Sequence, residues 1–425
     1  MIVTILPSAV AGQMKVPPSK SSMQRACAAA LLTPGTTIID SFGTSNDEKA
    51  AIDIITTLGA NVSKLKDKLV VTSSDAIFRS PSKKNVTVNC GESGLSMRMF
   101  APIASLFDFD ITFSGEGSIL KRPMNFFDEI FPKLGVEIYS NHGKLPINLR
   151  GPLRPKDVTV DGSLSSQFLT GLLFAYAKAC KEPVDIHVKN LSSKPYIDLT
   201  LSVLRSFGFN VTNKNYETFT LHPRKKLQAQ SIKYTVEGDW SNAAFLLVAG
   251  AISGEIMLTG ADLNSTQGDK NIMEALYNCG AKVAVREKDI IIKKDKLQGF
   301  NFDATHSPDL FPPLVVLAAY CKGASTIKGV NRLLFKESNR AITLRDEFRK
   351  MNVDIELNGD VMLIKGGSEV KGAKVSSHND HRIAMACAVA GSAAKGPTNI
   401  HEADAVNKSY PGFFNDIKKL GIKVN

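Results

Sequence analysis

Acidic, basic and arginine side chains stand next to each other at three predicted helix starts in the second half of the chain. Asp309 precedes an apolar stretch at residues 310–320, residues 336–340 read Lys-Glu-Ser-Asn-Arg, and residues 379–382 read Asn-Asp-His-Arg. An acid beside a base and an arginine can have its carboxylate pKa tuned for proton transfer. These segments predict general acid–base chemistry, and ordinary helix caps and ion pairs are the alternative interpretation.

The first half of the chain instead places small hydroxyl residues and glycines before apolar stretches. These segments are residues 17–25, with Lys20, Ser21 and Arg25; residues 90–98, with Gly94; residues 161–167, with Ser165, Ser166 and Gln167; and residues 193–198, with Ser193 and Tyr196. A helix start offers backbone N–H groups and a partial positive charge, and small side chains let an anion approach them. Each segment predicts an anion-binding helix start, with a plain cap as the alternative. The Lys121-Arg122-Pro123 turn is a weaker signal.

The charge balance favours an anionic partner. The chain has 52 Lys and Arg residues against 41 Asp and Glu residues, a formal net charge of +11. Such an excess suits either nucleic acid or small phosphorylated substrates. The basic runs lack interleaved aromatic residues and a nucleic-acid motif, so we expect small-molecule substrates and no nucleic acid. A nucleic-acid-binding repeat protein is the alternative, and it would show strongly salt-dependent binding to random RNA.

The cysteines and histidines do not form a metal-binding pattern. The six cysteines are far apart in the sequence, which is typical of reduced, buried thiols. Residues 378–381, which contain two histidines, are the densest histidine segment, and we do not expect them to bind zinc. We therefore expect no metal and no cofactor. The N-terminal segment lacks a basic leader with an apolar core, and nothing approaches a membrane span in length, so we expect a cytoplasmic protein with no membrane partner.

Six repeats must position these residues. A short phrase recurs with its central residue at Gly59, Gly135, Gly208, Gly280, Asn352 and Gly421, spaced 69 to 76 residues apart. Repetition at such a period indicates repeated supersecondary units. Each copy follows an amphipathic stretch, so the central residue is predicted to end a helix in the left-handed conformation, which Gly and Asn adopt most readily.

A hairpin is predicted after each helix end. The clearest strand pairs are residues 62–65 with 69–72, 282–285 with 290–292, and 353–357 with 361–364. The turn Asn358-Gly359-Asp360 is the strongest hairpin signal among them.

The sixth copy stops at Asn425, before a second hairpin strand, whereas residues 2–6 form an apolar strand without a partner nearby in the sequence. We infer that the N-terminal strand completes the last unit. A chain of 425 residues suits two domains, so the chain would cross between them twice. We place the crossings at residues 16–19 and 237–239. Residues 1–18 with 237–425 then form one domain of three units, and residues 19–236 form an inserted domain of three units.

The order of the motifs resembles that of the 5-enolpyruvylshikimate-3-phosphate synthase family of enolpyruvyl transferases. The matching segments are Lys20 to Arg25, Gly91 to Arg98, Arg122-Pro123, Ser165-Ser166-Gln167, residues 193–196, 237–239, 267–269, Pro308-Asp309, Lys336-Glu337, residues 379–382 and Lys408. Each motif is common by itself, but their joint order over nearly the whole chain is specific. The resemblance implies two inside-out α/β domains, each of three repeated units of helices and a mixed sheet, with the active site in the cleft between the domains.

The resemblance also implies a reaction. The family transfers the enolpyruvyl group of phosphoenolpyruvate to the 5-hydroxyl of shikimate 3-phosphate and releases phosphate, a step of aromatic amino acid biosynthesis through the shikimate pathway. The family works by addition followed by elimination, through a tetrahedral intermediate, without a cofactor or metal. We expect a monomer whose partners are these two substrates.

Site residues follow from the resemblance by position. Shikimate 3-phosphate is expected to contact Lys20, Ser21, Arg25, Ser165, Ser166, Gln167, Ser193, Asp309 and Lys336. Phosphoenolpyruvate is expected to contact Lys20, Gly94, Arg122, Gln167, Arg340, Arg382 and Lys408. Asp309 is expected to act as the base toward the hydroxyl, Glu337 as the proton donor to carbon, and Lys20 as a bridge between charges. Tyr196 and His381 are expected to support these groups.

Some positions depart from the usual family pattern. They are Glu92 for Asn, Leu95 for Thr, Met99 for Pro, Arg332 near a usual Asn, and Asn339 for Asp. The charged ligands are retained, so the departures leave the reaction intact. The nearest alternative is the sister transferase that acts on UDP-N-acetylglucosamine. That family uses a reactive cysteine in a mobile loop, whereas residues 114–118 read Ser-Gly-Glu-Gly-Ser here.

Overall fold

Strands and helices alternate along the computed structural model, which describes residues 1–79, 85–224, 230–287 and 289–425. The strands of these described residues are β1 (Ile2–Leu6), β2 (Ala11–Lys15), β3 (Gly35–Asp40), β4 (Asn61–Leu65), β5 (Lys68–Ser73), β6 (Val86–Asn89), β7 (Asp110–Ser114), β8 (Glu137–Ser140), β9 (Ile147–Arg150), β10 (Val158–Asp161), β11 (Val184–Lys189), β12 (Asn210–Lys214), β13 (Thr218–His222), β14 (Gln230–Thr235), β15 (Glu255–Thr259), β16 (Lys282–Arg286), β17 (Asp289–Lys293), β18 (Asn301–Asp303), β19 (Gly323–Lys328), β20 (Asp354–Asn358), β21 (Val361–Gly366), β22 (Lys374–Ser376), β23 (Thr398–His401) and β24 (Lys423–Val424).

The α-helices of the same residues are α1 (Lys20–Leu32), α2 (Asn46–Thr57), α3 (Gly94–Ala104), α4 (Asn125–Ile130), α5 (Ser166–Ala179), α6 (Lys194–Ser206), α7 (Trp240–Ser253), α8 (Ile272–Asn278), α9 (Phe311–Ala319), α10 (Arg340–Lys350), α11 (His381–Ser392) and α12 (Phe413–Lys419). Within the part of the chain that the structure describes, none of these helices is both long and apolar enough to cross a membrane.

The chain divides into two units, each with its own hydrophobic core. The terminal unit consists of Met1–Pro17 and Glu237–Asn425, and the inserted unit consists of Pro18–Val236. Among the described residues each unit has three four-stranded sheets, for example β18-β19-β21-β20 and β6-β7-β9-β8. In both examples the first two strands are parallel and the last two form an antiparallel hairpin.

Apolar helices form the centre of each unit. Every residue of α3, α9 and α11 is buried, and α7 leaves only Ser241 partly exposed. A helix that is apolar all round must be enclosed by other elements, whereas a surface helix needs only one apolar stripe. The inserted unit's α1 is buried except for Lys20 and Ser21 at its start. Among these helices, α1 and α7 expose polar side chains only at their N-terminal ends.

The repeated helix ends have the predicted backbone conformation. The φ angles are 112° at Gly59, 77° at Gly135, 76° at Gly208, 82° at Gly280, 67° at Asn352 and 92° at Gly421. The hairpins that follow are also confirmed, with β4 paired to β5, β16 to β17 and β20 to β21.

The N-terminal strand completes the last sheet. The order of that sheet is β22-β23-β1-β24, so β1 takes the place of the second hairpin strand. Ile5 pairs with Val424 and Leu6 with Lys423 in antiparallel register. The two ends of the chain therefore lie side by side in one sheet.

Two strands precede a helix of the other unit in the sequence. Strand β2 pairs in parallel with β15 of the terminal unit, although α1 of the inserted unit follows it. Strand β14 likewise pairs in parallel with β3 of the inserted unit, although α7 of the terminal unit follows it. At each crossing, the last strand before the crossing therefore belongs to the sheet of the unit that the chain is leaving.

One predicted helix begins later than expected. Helix α10 begins at Arg340, and Lys336 and Glu337 lie in the bend before it. The hydroxyl of Ser338 donates to a carboxylate oxygen of Asp380 at 3.2 Å. Tertiary contacts of this segment therefore replace the helical turn that its sequence favours locally.

Candidate active site

In the terminal unit, Asp309 is the centre of a charged group. It lies in the 3₁₀ turn Pro308–Leu310, immediately before α9. Its Oδ1 accepts from Lys336 Nζ at 3.1 Å and Arg340 Nη1 at 2.9 Å, and its Oδ2 accepts from Arg382 Nη2 at 3.2 Å. Burial opposes ionisation, but these three cations, with Arg382 foremost, hold the pKa of Asp309 well below its ordinary value. The carboxylate is therefore ionised.

Arg340 connects Asp309 to two further carboxylates. Its side chain is 0% exposed, and its Nη2 donates to Glu337 Oε2 at 2.5 Å. Its Nε and Nη2 donate to Asp380 at 3.0 and 3.2 Å. Burial alone would lower the pKa of Arg340, but the surrounding carboxylates, first Asp380, raise it above its ordinary value. Asp309 and Glu337 are consequently held by the same guanidinium group.

The start of α11 supplies the remaining predicted groups of the terminal unit. Asp380 caps this helix by accepting from the backbone N–H of Arg382 at 3.0 Å. The ring Nδ1 of the buried His381 lies 3.9 Å from Asp380 Oδ1. Lys408 Nζ donates to the carbonyl of Asn379 at 2.6 Å. Lys408, His381 and Arg382 are therefore gathered around one helix start.

Asp269 is a functional candidate to which sequence reasoning assigned no role. It is fully buried and accepts a hydrogen bond from the hydroxyl of Ser241. Burial and then the charge of Asp309 raise its pKa to about 6, and Arg382 opposes the shift. The family segment at residues 267–269 was the available signal. The electrostatic interaction of Asp269 with Asp309 and Arg382 could not be read from that segment, because these residues are distant in the sequence.

In the inserted unit, serines cap the three central helices. Ser19 accepts from a backbone N–H of α1 at 3.3 Å, Ser93 from one of α3 at 3.2 Å, and Ser165 from one of α5 at 3.3 Å. In the terminal unit, by contrast, Asp239 caps α7 and Asp380 caps α11. A neutral cap leaves the positive end of the helix dipole uncompensated, and a carboxylate cap compensates it. The starts of α1, α3 and α5 are thus better suited to bind anions.

Arg25 joins two of the predicted segments. Its Nη1 donates to the carbonyl of Ser21 at 2.9 Å, its Nη2 to the carbonyl of Tyr196 at 3.3 Å, and its Nε to Thr200 Oγ1 at 2.9 Å. Burial lowers the pKa of Arg25 to about 10, so it stays cationic near neutral pH. Lys20, at the same helix start, forms an ion pair with Asp47 at 2.8 Å.

Gly94 lies against two arginines and an amide. A Cβ atom at this position would be 2.6 Å from Arg122 Nη1, 3.2 Å from Arg98 Nη1 and 3.7 Å from Gln167 Oε1. Arg98 Nη1 donates to Gln167 Oε1 at 3.0 Å, and its guanidinium group lies 5.1 Å from the ring centre of Phe168. Sequence reasoning noted Arg98 in its motif but gave it no role. Only the packing shows that it orients Gln167.

The two serine segments predicted to bind a phosphoryl group meet in space. Ser192 Oγ donates to the carbonyls of Gly162 and Ser163 at 3.1 Å, which ties the turn before α5 to the turn before α6. Ser193 has a left-handed backbone with φ 55° and ψ 46°, a conformation that costs a residue other than glycine about 1–3 kcal/mol. Ser166 is buried in the first turn of α5. The fold therefore groups Ser165, Ser166 and Ser193.

Comparison with known proteins agrees with this geometry. The model of the EPSP synthase (3-phosphoshikimate 1-carboxyvinyltransferase) family matches residues 6–417. The chain belongs to the EPSP synthase family. It is 38% identical over 420 residues to the 3-phosphoshikimate 1-carboxyvinyltransferase of Clostridium perfringens, covering 99% of this chain and 98% of the relative. It is 35% identical over 428 residues to that of Clostridioides difficile, with coverage of 99% and 98%.

Solved structures show the same fold. The EPSP synthase of Acinetobacter baumannii matches with a TM-score of 0.83 and 26% identity, covering 100% of this chain and 99% of that chain. The enolpyruvyl transferase NikO from Streptomyces tendae matches with a TM-score of 0.79 and 17% identity, which shows the fold alone. The predictions of an EPSP synthase, of its repeated two-domain α/β fold and of enolpyruvyl transfer in the shikimate pathway are confirmed.

Four departures from the usual EPSP synthase pattern lie at a backbone hydrogen bond, in the core and at a helix start. Glu92 accepts from the backbone N–H of Ser118 at 3.0 Å, and Leu95 and Met99 are buried in the core. Asn339 occupies the cap position of α10 without a side-chain cap bond.

The residues that the structure describes include no group of three or more His, Cys, Asp or Glu side chains suited to a metal ion.

Proposed function

We propose that the protein transfers the enolpyruvyl group of phosphoenolpyruvate to the 5-hydroxyl of shikimate 3-phosphate and releases phosphate. The observation that carries the proposal is the pair of carboxylates, Asp309 and Glu337, that share the guanidinium group of Arg340. The reaction moves protons at both an oxygen and a carbon, so it needs two such groups held close together. The terminal unit would supply proton transfer and the inserted unit most of the anion binding.

Shikimate 3-phosphate is assigned mainly to the inserted unit. Ser165, Ser166, Ser193 and Gln167 surround helix starts whose N–H groups and hydroxyls can donate to a phosphoryl group. Ser21 and Arg25 are assigned to the carboxylate of the substrate, with Lys20 nearby, because their helix start is capped by a neutral serine. Asp309 and Lys336 are assigned to the ring hydroxyls.

Phosphoenolpyruvate is assigned to a second set of residues, most of them basic, which shares Lys20 and Gln167 with the first set. They are Lys20, Gly94, Arg122, Gln167, Arg340, Arg382 and Lys408. Gly94 contributes by having no side chain, since a Cβ atom would crowd Arg122 at 2.6 Å. The two substrates together carry two phosphoryl groups and two carboxylates, roughly five negative charges. That charge explains the number of cations assigned to the site.

The chemistry proceeds by addition and then elimination. Asp309 accepts the proton of the 5-hydroxyl as the hydroxyl oxygen bonds to C2 of phosphoenolpyruvate, while Glu337, in its protonated form, donates a proton to C3, which becomes a methyl group. A methyl proton of the tetrahedral intermediate then returns to the carboxylate of Glu337 as the C2–O bond to phosphate breaks, and the proton held by Asp309 leaves with the phosphate. Lys20 stabilises the charge that develops on the substrates. Tyr196 and His381 are assigned supporting roles. The carbonyl of Tyr196 holds Arg25, and His381 lies beside Asp380.

Asp309 is a weak base until the substrates bind. Its three cation partners hold its pKa well below the ordinary value, and a general base works best with a pKa near the operating pH. The carboxylate and phosphate of phosphoenolpyruvate compete for Arg340 and Arg382, which weakens their hold on Asp309. Substrate binding therefore raises the pKa of Asp309 and makes it a better proton acceptor.

The test of the function is phosphate release from phosphoenolpyruvate with alternative acceptors. The purified protein is supplied with phosphoenolpyruvate and either shikimate 3-phosphate or UDP-N-acetylglucosamine. We expect stoichiometric phosphate with shikimate 3-phosphate and none with the UDP-sugar. Phosphate released only with the UDP-sugar would overturn the proposal.

We also propose that the protein acts as a cytoplasmic monomer. A single chain contains every residue assigned to the two substrates, so catalysis needs no second copy. Both substrates carry several negative charges and cross a lipid bilayer poorly, so the enzyme must work where they are made. Sedimentation should give a mass near 46.0 kDa, and a stable dimer would contradict the monomer. Cell fractionation tests the location.

A further inference from the structure

Helix α10 holds the segment before α11 at two places. This entry segment, residues 376–380, connects β22 to α11 and carries the groups that face Arg340 and Lys408. Arg340, at the start of α10, binds the last residue of the segment, Asp380. Glu347 lies two helical turns further along α10, on the same face. It binds the first part of the segment.

The carboxylate of Glu347 has several partners. The side chain is 2% exposed, and its Oε1 lies 2.8 Å from His378 Nε2. Its Oε2 accepts from the backbone N–H of Ser376 at 2.9 Å. Lys350 Nζ binds the two oxygens at 2.8 and 2.7 Å. Burial opposes ionisation, but the bonds from Lys350, His378 and Ser376 keep the pKa of Glu347 below its ordinary value, so His378 donates to a carboxylate.

The entry segment has a strained backbone. His378 and Asn379 have φ angles of 50° and 56°, in the left-handed region that residues other than glycine rarely adopt. Such a conformation persists only where surrounding contacts determine it. Ser377 Oγ donates to the carbonyl of Glu402 at 2.8 Å and accepts from the N–H of Asn379 at 3.1 Å. The strained turn directs the Asn379 carbonyl to Lys408 at 2.6 Å.

We propose that Glu347, acting through His378, is a positioning residue for the reaction. It fixes the entry segment, and the segment in turn fixes Asp380, which holds Arg340, and the carbonyl that holds Lys408. The effect on catalysis rests on the proposed function, which assigns Arg340 and Lys408 to phosphoenolpyruvate. Glu347 itself touches no substrate in this assignment.

The first test compares Glu347→Gln with Lys350→Ala. Ser376 and His378 bind different oxygens of Glu347, and glutamine keeps the size of the side chain but replaces one of these oxygens by an NH2 donor, so it cannot accept from both at their present positions. We expect KM for phosphoenolpyruvate to rise roughly 10- to 100-fold with a lower kcat, because a small displacement of binding groups is costly. KM for shikimate 3-phosphate should stay within about twofold. Lys350→Ala removes a partner of Glu347 that does not touch the entry segment, and should leave both KM values within about twofold.

The second test asks whether the effect passes through His378. Residues that act as one unit show non-additive losses. His378→Asn should reproduce the rise in KM for phosphoenolpyruvate, and the double variant should lose no more than Glu347→Gln alone. Additive losses would overturn the route through His378. The ring of His378 is 48% exposed, so this variant also serves if Glu347→Gln does not fold.

The third test is independent of activity. Hydrogen exchange of the ligand-free protein should be faster at residues 376–380 in Glu347→Gln than in the wild type, and unchanged in Lys350→Ala. This result is expected even if the wild type releases no phosphate, in which case the proposed function fails and the positioning role stands. Wild-type exchange at this segment in Glu347→Gln, or a wild-type KM for phosphoenolpyruvate in an active variant, would overturn the inference.

Discussion

At the scale of single residues, Gly94 shows how an absent side chain serves binding. The Cβ of Gly94→Ala would lie 2.6 Å from Arg122 Nη1 and 3.2 Å from Arg98 Nη1, so the guanidinium groups must shift. Because Arg122 is assigned to phosphoenolpyruvate, KM for phosphoenolpyruvate should rise roughly tenfold or more. KM for shikimate 3-phosphate should change less than threefold or so. Equal changes in both KM values, measured by phosphate release, would contradict the assignment.

Asp269 makes a prediction about stability. Its folded-state pKa of about 6 lies above the ordinary 3.8, so the folded protein binds this proton more tightly than the unfolded chain. The resulting stabilisation is present at low pH and is lost as the pH rises through about 6. Relative to Asp269→Asn, the wild-type free energy of unfolding should fall by about 2 kcal/mol between pH 4 and pH 7. Both free energies are measured by urea denaturation. If they change equally between pH 4 and pH 7 in the wild type and in Asp269→Asn, the pKa of Asp269 is not raised.

Sequence reasoning performed unevenly at this scale. Asp309, Arg340 and Arg382 could be named in advance because each lies in a short motif at a predicted helix start, and the structure brings them together. Asp269 and Glu347 could not be given roles in the same way. Their importance comes from contacts with residues distant in the sequence, and a local motif does not encode those contacts.

At the scale of elements, the helix caps differ between the unit assigned to anion binding, where they are serines, and the unit assigned to proton transfer, where they are carboxylates. Replacing Ser165, the cap of α5, by Asp keeps the capping bond and adds a favourable charge at the helix start. The melting temperature should be unchanged or higher, whereas KM for shikimate 3-phosphate should rise roughly tenfold through repulsion of its phosphate. Ser165→Asn is the neutral control and should weaken binding much less. If the Asp and Asn variants bind alike, the cap charge is irrelevant.

The helix ends were more predictable than the helix starts. A left-handed Gly or Asn is a local requirement, and Asn352 adopts φ 67° as the repeat predicts. The start of α10 is different, because Lys336 and Glu337 favour a helix locally but bind Asp309 and Arg340 from the bend before it. There the tertiary ion pairs determine the boundary.

At the scale of the whole molecule, β1 and β24 behave as a hairpin without a connecting turn. Asn425 and Thr4 exchange backbone hydrogen bonds at 2.9 Å in each direction. We predict that the protein tolerates circular permutation. A linker of roughly four residues ending in Asn-Gly joins Asn425 to Met1, and the new chain ends lie at the exposed turn Lys66-Asp67. The permuted protein should melt within about 5 °C of the wild type and keep kcat/KM within about fivefold. A control reopened within α9 should not fold.

The repeats predicted the number of units and the completion of the last sheet, because each unit needs a fourth strand. The predicted crossings at residues 16–19 and 237–239 already leave β2 and β14 in the unit from which the chain departs, but the repeats did not predict the parallel partners of these two strands. A parallel strand joins its sheet through long-range hydrogen bonds, and the residues 11–15 and 230–235 are too short to indicate their partners.

The most direct test of the central claim follows the protons. The wild-type enzyme is allowed to convert phosphoenolpyruvate and shikimate 3-phosphate in D2O, and the products are observed by proton and phosphorus NMR. Addition by way of a methyl group followed by elimination predicts inorganic phosphate, an enolpyruvyl ether at the 5-oxygen, and deuterium in its vinyl group. A vinyl group that contains no deuterium, or phosphate formed without the ether, would contradict the mechanism.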